Sequence, residues 1–343
     1  MKKNICLSLI PVITALAFFG CSSTGKAAAG AEKIVIYTSM YEYVIQSVKN
    51  NLKKHFPRLD IEFVYGGTGN LQNRIASEQK SGRLGCDILM VAEPAYSLEL
   101  KENEMLHHYK SREAANLAFD YDPEGYWYPV RVSNMVLAYN PARHAKNSIP
   151  QSFYDFAYDP RVNGTIAMRS PLTSGTSMAA IVALRDKYGY EYFDALSKQN
   201  IHIEYGADSS LLKLETGEFS VAMILEESIL RRRQEGSKLE VIYPTDGTVI
   251  IPSNIMIINK KWSANRNTDA AEAIADWFLG PEGQDVIVDG WMHSVRNNFP
   301  RLPYDAKPTN EIRLNSIPVN WENHLRQKEE IQDKFQEYLA NRR

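Results

Sequence analysis

Two long apolar runs of extended pattern, residues 128–139 and 249–258, constrain this chain more than any other feature. Most strands run only about five or six residues, so segments of this length serve to cross between substructures. Around them, short apolar runs alternate with helical patterns in two separate sets, the signature of α/β units on a mostly parallel sheet. The first set has strands at 34–37, 60–65 and 87–92. Its helices are marked by Tyr41, Val44, Ile45, Val48, Leu52 and Phe56 at helical spacing, by residues 70–79, and by Pro94 opening a third. The second set has strands at 165–168, 201–205 and 221–225 and a helix at 176–188. Pro252, Ser253 and Asn254 interrupt the second long run, and amphipathic helices at 269–279 and 321–340 complete the chain. Two α/β sets joined by two crossings predict hinged lobes. Residues 31–130 and 256–343 form lobe 1 on this reading, and residues 131–255 form lobe 2. Open α/β sheets bind ligands beyond the carboxyl ends of their strands, so the lobes should close on a ligand in the cleft between them.

Residues 1–20 read as an export signal. Lys2 and Lys3 precede an apolar stretch at 5–19, shorter than the ~18 residues of a membrane-spanning helix and suited to a secretory signal. Gly20, Cys21, Ser22 and Ser23 resemble a bacterial lipobox, which implies that Cys21 becomes a lipidated N-terminus. Phe18 and Phe19 depart from that pattern, and an ordinary signal with an incidental cysteine is the alternative. Residues 21–30 are small and polar, as suits a tether. Cys86 is the one cysteine left in the body, inside an apolar run, where a buried thiol is expected. The formal net charge of −2 becomes −4 once Lys2 and Lys3 are lost, so no basic field favours nucleic acid as a partner.

Three hydroxyl- and glycine-rich turns follow expected strands and precede expected helices: Thr38 and Ser39; Gly66 to Gly69, with Thr68; and Ser174, Gly175 and Thr176. Helix N-termini present free N–H groups that favour anions, although such residues also cap helices with no ligand. Arg131, at the start of the first crossing, either clamps a phosphate or carboxylate or makes an interlobe salt bridge. Glu226 and Glu227 end the 221–225 strand. A carboxylate there, taken as Glu226, would meet the non-anionic end of a ligand; the alternative is that both acids are solvated beside Arg231, Arg232 and Arg233. Tyr126, Trp127 and Tyr128 either stack on a ligand, wedge the hinge or pack in the core, and His202 is placed in the core. The Gly66–Gly69 turn lacks the Gly-Lys-Ser/Thr ending of an NTPase loop, and no nucleophile elbow or Cys/His metal spacing is present. No catalytic residues, cofactor or metal are therefore expected.

Further motifs occur in order. They are Ile36-Tyr37-Thr38-Ser39, Gly67-Thr68-Gly69, Cys86-Asp87-Ile88, Ala138-Tyr139-Asn140-Pro141, Ser174-Gly175-Thr176, Glu215-Thr216-Gly217-Glu218-Phe219, Tyr243-Pro244 and Phe278-Leu279-Gly280-Pro281-Glu282-Gly283-Gln284. Together they resemble bacterial ABC-transporter extracellular solute-binding proteins of the ferric-iron and organophosphate-binding group. The resemblance implies a type II periplasmic-binding fold, a monomer held outside a membrane, a small anionic ligand, and separate permease and ATPase subunits. Thr38, Ser39, Thr68, Gly69, Arg131, Ser174, Gly175, Thr176 and Glu226 form the expected ligand site. Iron carriers of this group have paired tyrosines where this chain reads Glu226-Glu227-Ser228-Ile229. Members without that pair bind sugar phosphates or phosphonates. Ferric iron transport, or ligand sensing for a membrane kinase, are the alternatives.

Acylation of Cys21 has a direct test. One acyl chain anchors only weakly, so stable attachment needs more than one. Full-length protein expressed in a bacterium should fractionate with membranes, and Cys21→Ser should release it. Soluble parent protein, unchanged by the substitution, would contradict the lipobox.

Overall fold

A computed structural model describes residues 32–340. The export signal, Cys21 and the tether at 21–30 lie outside the described residues. The chain opens with β1 (Glu32–Thr38), α1 (Glu42–His55), β2 (Leu59–Tyr65), α2 (Thr68–Lys80), β3 (Ile88–Val91), α3 (Pro94–Glu102) and β4 (Leu106–His107). The first crossing is β5 (Trp127–Tyr139). Then follow α4 (Phe153–Tyr158), β6 (Ile166–Arg169), α5 (Gly175–Tyr188), α6 (Glu191–Lys198), β7 (His202–Glu204), α7 (Ala207–Thr216), β8 (Val221–Leu225), α8 (Glu226–Gln234) and β9 (Glu240–Ile242). The second crossing is β10 (Thr248–Ile258), before α9 (Thr268–Leu279), α10 (Pro281–Asp289), α11 (Thr309–Leu314), β11 (Ser316–Ile317) and α12 (Trp321–Ala340).

Strand order is β2-β1-β3-β10-β5-β8-β6-β7. The triplets β2-β1-β3 and β8-β6-β7 are parallel, while β5 and β10 run antiparallel to each other and to their flanking neighbours. The start of β5 and the end of β10 belong beside β3, and the end of β5 belongs beside β8. The interruption expected at Pro252 to Asn254 is instead a register shift within one continuous strand. Ser253 faces Arg131 and Asn254 faces Pro129, so Val130 is an extra residue on β5. Such a bulge bends a strand and re-aims its side chains. Here it sits where the chain crosses between the two parallel triplets, directly before Arg131.

Side chains of β1 alternate between two cores, as period-two geometry requires. Ile34 and Ile36 pack with α1, α9 and α10, while Val35 and Tyr37 pack with α2, α3 and buried Cys86. The second parallel triplet has its own core, built on Phe153, Phe156, Phe193 and the wholly buried middle of α5. Helix α12, at the chain's C-terminal end, inserts Ile331 and Phe335 into that same core. From there it reaches back to the first triplet, where Lys328 pairs with buried Glu93 at 2.7 Å and donates to Gln72 at 2.9 Å. Tyr128 is a core residue, with its hydroxyl donating to the Tyr109 carbonyl. The expected core placement of His202 does not hold. It is exposed at the edge strand β7, with its ring beside Phe219 and Nε2 at 3.0 Å from the Gly164 carbonyl, because among the described residues β7 has no neighbour on its outer side.

His324 of α12 is fully buried, and neither ring nitrogen finds a hydrogen-bond partner. Burial first, then the charges of Lys328 and Arg185, push its pKa down from 6.5 to about 3. The unfolded chain thus binds a proton that the folded chain refuses. Stability is therefore full above pH 6.5 and is lost as pH falls toward 3, by roughly 1.4 kcal/mol per unit. Urea melts across that range should show a shallower acid limb for His324→Leu than for the parent; parallel limbs would contradict this role.

Candidate functional site

Two helix N-termini meet where the parallel triplets face each other. Gly67 precedes α2, and Ser174 caps α5 by accepting the Ser177 amide at 3.2 Å. The opening amides of both helices have no intrahelical acceptor. The turns are pressed together so closely that side chains are excluded. A Cβ on Gly69 would lie 2.3 Å from the Leu172 carbonyl oxygen, and one on Gly175 would lie 2.8 Å from that of Ala92 and from the Thr68 Cβ.

Between them is a cavity of about 30 Å³, lined by Ser39, Tyr41, Tyr65, Gly67, Thr68, Ala92, Arg131, Arg169, Ser174, Gly175, Thr176, Leu225 and Glu227. Six residues expected from the sequence thus come together: Ser39, Thr68, Arg131, Ser174, Gly175 and Thr176. Three do not line it. Thr38 is buried and its Oγ1 accepts the Met40 amide at 3.1 Å. Gly69 is taken up by the contact with Leu172. Glu226 is turned away, its carboxylate accepting from Asn134 Nδ2 at 2.6 Å and from the Tyr243 hydroxyl, and lying 2.8 Å from His293 Nε2.

The carboxylate in the cavity wall is that of Glu227, only 2 % exposed, accepting from Ser133 Oγ at 3.0 Å. Solvation of the two acids beside Arg231 to Arg233 is excluded, since both are buried. Burial raises the Glu227 pKa to about 7 against the opposing pull of Arg131. Arg169 closes β6 in the opposite wall, with NH1 3.4 Å from the Tyr41 hydroxyl and Nε unpartnered.

Arg131 is 2 % exposed. Its guanidinium reaches only weak partners: Ser133 Oγ at 3.5 Å, Ser39 Oγ at 3.3 Å and Met292 Sδ at 3.1 Å, with Nε unpartnered. Burial lowers its pKa, with Glu227 the largest opposing influence. Neither Arg131 nor Arg169 makes a salt bridge among the described residues. A guanidinium carries five N–H donors, and a buried charge without a partner is costly. Buried Arg131, half-buried Arg169, hydroxyls from both walls and two helix N-termini form a receptor suited to an oxyanion. The sequence reading missed Tyr41, Tyr65 and Arg169, and of the two acids that follow β8 it settled on Glu226, where Glu227 lines the cavity. Arg169 carried a usable signal, because it ends a strand directly before the Ser170–Thr176 turn.

A model of the family described as bacterial extracellular solute-binding proteins matches residues 86–322. A probable ABC transporter periplasmic-binding protein of Sinorhizobium fredii is 25% identical over 276 residues, 77% of this chain and 75% of that one. The periplasmic binding protein AfuA of Actinobacillus pleuropneumoniae, solved with fructose-6-phosphate bound, superposes with a TM-score of 0.79 at 20% identity, covering 90% of this chain and 99% of that one. Iron-bound HitA of Pseudomonas aeruginosa gives a TM-score of 0.77 at 19% identity, covering 89% and 99%. The described residues share the type II periplasmic-binding fold of these proteins.

If Arg131 is held for a ligand rather than for the fold, its charge is a burden in the empty protein. Arg131→Met should leave ligand-free stability in urea unchanged or higher by about 1 kcal/mol. A loss of about 3–5 kcal/mol, as for a broken buried ion pair, would assign Arg131 a structural role.

Proposed function

This chain belongs to the bacterial extracellular solute-binding proteins, and from that premise we propose that it captures a small phosphorylated organic anion, a sugar phosphate or a phosphonate. The ligand is held between a first lobe built on β2-β1-β3 and a second built on β8-β6-β7. The protein is the binding component of an ABC importer outside the cytoplasmic membrane, with permease and ATPase as separate subunits. Its attachment is through lipid on Cys21, and it works as a monomer.

The observation that carries the ligand class is the pair of buried or half-buried guanidiniums, Arg131 and Arg169, facing one cavity without an ion pair. A phosphoryl dianion neutralises both. Its oxygens accept from Ser39 and Thr68 on one side and from Ser174, Thr176 and the α5 amides on the other. Only closure brings both donor sets to one anion, and a ligand shifts an equilibrium only through such differential contacts. The cavity of about 30 Å³ has room for a water or two, so an organic phosphate enters by parting the Gly69–Leu172 and Gly175–Ala92 contacts. The organic end then lies toward Tyr41 and Tyr65.

The likeness to iron-bound HitA is nearly as good as that to AfuA, so chemistry must separate the two ligands. A ferric ion needs anionic donors. Among the described residues no group of three or more His, Cys, Asp and Glu converges on a metal position. Burial raises the pKa of Tyr41 and Tyr65, which opposes tyrosinate formation. Two unpaired cations repel the metal. Calorimetry with fructose 6-phosphate, glucose 6-phosphate, 2-aminoethylphosphonate and ferric citrate tests this reading. At least one phosphorus compound should bind one-to-one, and Arg131→Ala should weaken it by about one to two decades. A coloured iron complex with no response to the phosphorus compounds would overturn it.

A further inference from the structure

The cavity holds one feature that an anion receptor should avoid, a carboxyl group in its wall. Glu227 is the second residue of α8, just beyond β8, and lines the cavity with Arg131 and Arg169. One oxygen, Oε1, accepts from Ser133. Among the described residues no lysine or arginine lies within ion-pair distance of either oxygen. A carboxylate so placed would repel a phosphoryl group a few ångströms away, in surroundings that screen charge poorly.

We propose that Glu227 holds the captured anion as a neutral carboxylic acid, donating its proton to a ligand oxygen, so that capture takes up one proton from solvent. This rests on the phosphorylated-anion reading above and names how that site is regulated. The balance is simple: the carboxylate gains a proton, no covalent bond to the ligand forms, and nothing is oxidised. With Glu227 neutral, the charges of Arg131 and Arg169 are left to match a dianion. With Glu227 ionised, one of them is spent on the protein.

The groups around Glu227 support this arithmetic. Arg131 of β5 faces it and is the main influence favouring the carboxylate. Arg169 stands at the end of β6, across the cavity. Tyr41, preceding α1, and Tyr43 on α1 both feel the Glu227 charge, and Tyr65 of β2 adjoins Tyr41. On its own helix, Glu226 disfavours a second negative charge, and Arg231 lies over the Tyr43 ring at 4.7 Å. Burial already brings the empty-state pKa to about 7. An anion that occupies Arg131 removes the main opposing influence and adds a repulsive one, and both push the equilibrium toward the acid. A carboxylic acid kept neutral in a poorly solvated site to donate a hydrogen bond is sound chemistry. Proton linkage then requires affinity to fall as pH rises.

The test is calorimetry with fructose 6-phosphate, 2-aminoethylphosphonate and inorganic phosphate, in buffers of differing ionisation enthalpy, from about pH 6 to about pH 9. Binding should take up close to one proton at the alkaline end, and affinity should fall about tenfold per pH unit above 7. Glu227→Gln keeps a donor at this position and loses the titration. It should bind without that uptake and be tighter than the parent at about pH 8.5. Because a phosphate ester can itself take up a proton, with a pKa near about 6, the glutamine variant separates the two sources. Uptake that persists in Glu227→Gln overturns the proposal, as does a parent whose affinity is flat across the range. Binding without uptake leaves the ligand reading standing and removes only this inference. No binding by any of the three compounds at any pH removes both.

Discussion

Arg131 is a guanidinium buried at the point where the chain crosses between its two parallel triplets, and among the described residues it has no carboxylate to hold. Most of the site can be understood as the surroundings of that charge. The bulge at Val130 sets its direction, the β5–β10 pairing fixes its position, and Ser39, Ser133 and Met292 supply contacts too weak to satisfy five donors. A protein that buries such a group forgoes stability in the empty state. The same group becomes an asset when an oxyanion fills the cavity, because a charge already stripped of water binds its partner without a further desolvation cost.

Around it, the two walls meet through glycine and backbone rather than through side chains. Gly69 lies against the Leu172 carbonyl, and Gly175 lies against that of Ala92. Helix α12 has the opposite character. It is seated in the core of the second triplet by Ile331 and Phe335, and it grips the first through Lys328 and Glu93. The sequence reading placed this helix in lobe 1 through residue 343. Its apolar residues Ile331 and Phe335 in fact join the core built on Phe153 and Phe193, so the helix contacts both halves.

The strand and helix framework was legible wherever periodicity was strong. Run 221–225 coincides with β8, and Val44, Ile45, Val48 and Leu52 of the patterned set are the residues that α1 buries. Short helices such as α4, α7 and α11 carry too few turns to show a face. The helix read at 176–188 coincides with α5, which ends before Gly189, whose φ of 76° precedes the start of α6. Within the site, residues at strand ends and helix starts could be named because backbone position alone aims them at the cleft. Thr38 ends β1 and Ser39 is the first residue beyond it, so strand alternation does not decide between them. Glu226 and Glu227 differ by one step of a helix, about 100° of rotation. Sequence found the neighbourhood in both cases but could not choose the face. Tyr41 and Tyr65 come from separate elements and meet Arg169 only through tertiary packing.

The central claim is that an anion, by neutralising Arg131 and Arg169, holds the two lobes together. Lys53 on α1 and Leu212 on α7 are exposed and lie one on each lobe, while Cys86 is buried and stays unlabelled. Donor and acceptor dyes on Lys53→Cys and Leu212→Cys report the distance between the lobes by energy transfer. The account predicts that fructose 6-phosphate or 2-aminoethylphosphonate shortens that distance at saturation, and that neither compound does so once Arg131 is replaced by alanine. A distance unchanged by every phosphorus compound tried, or shortened by ferric citrate alone, would contradict it.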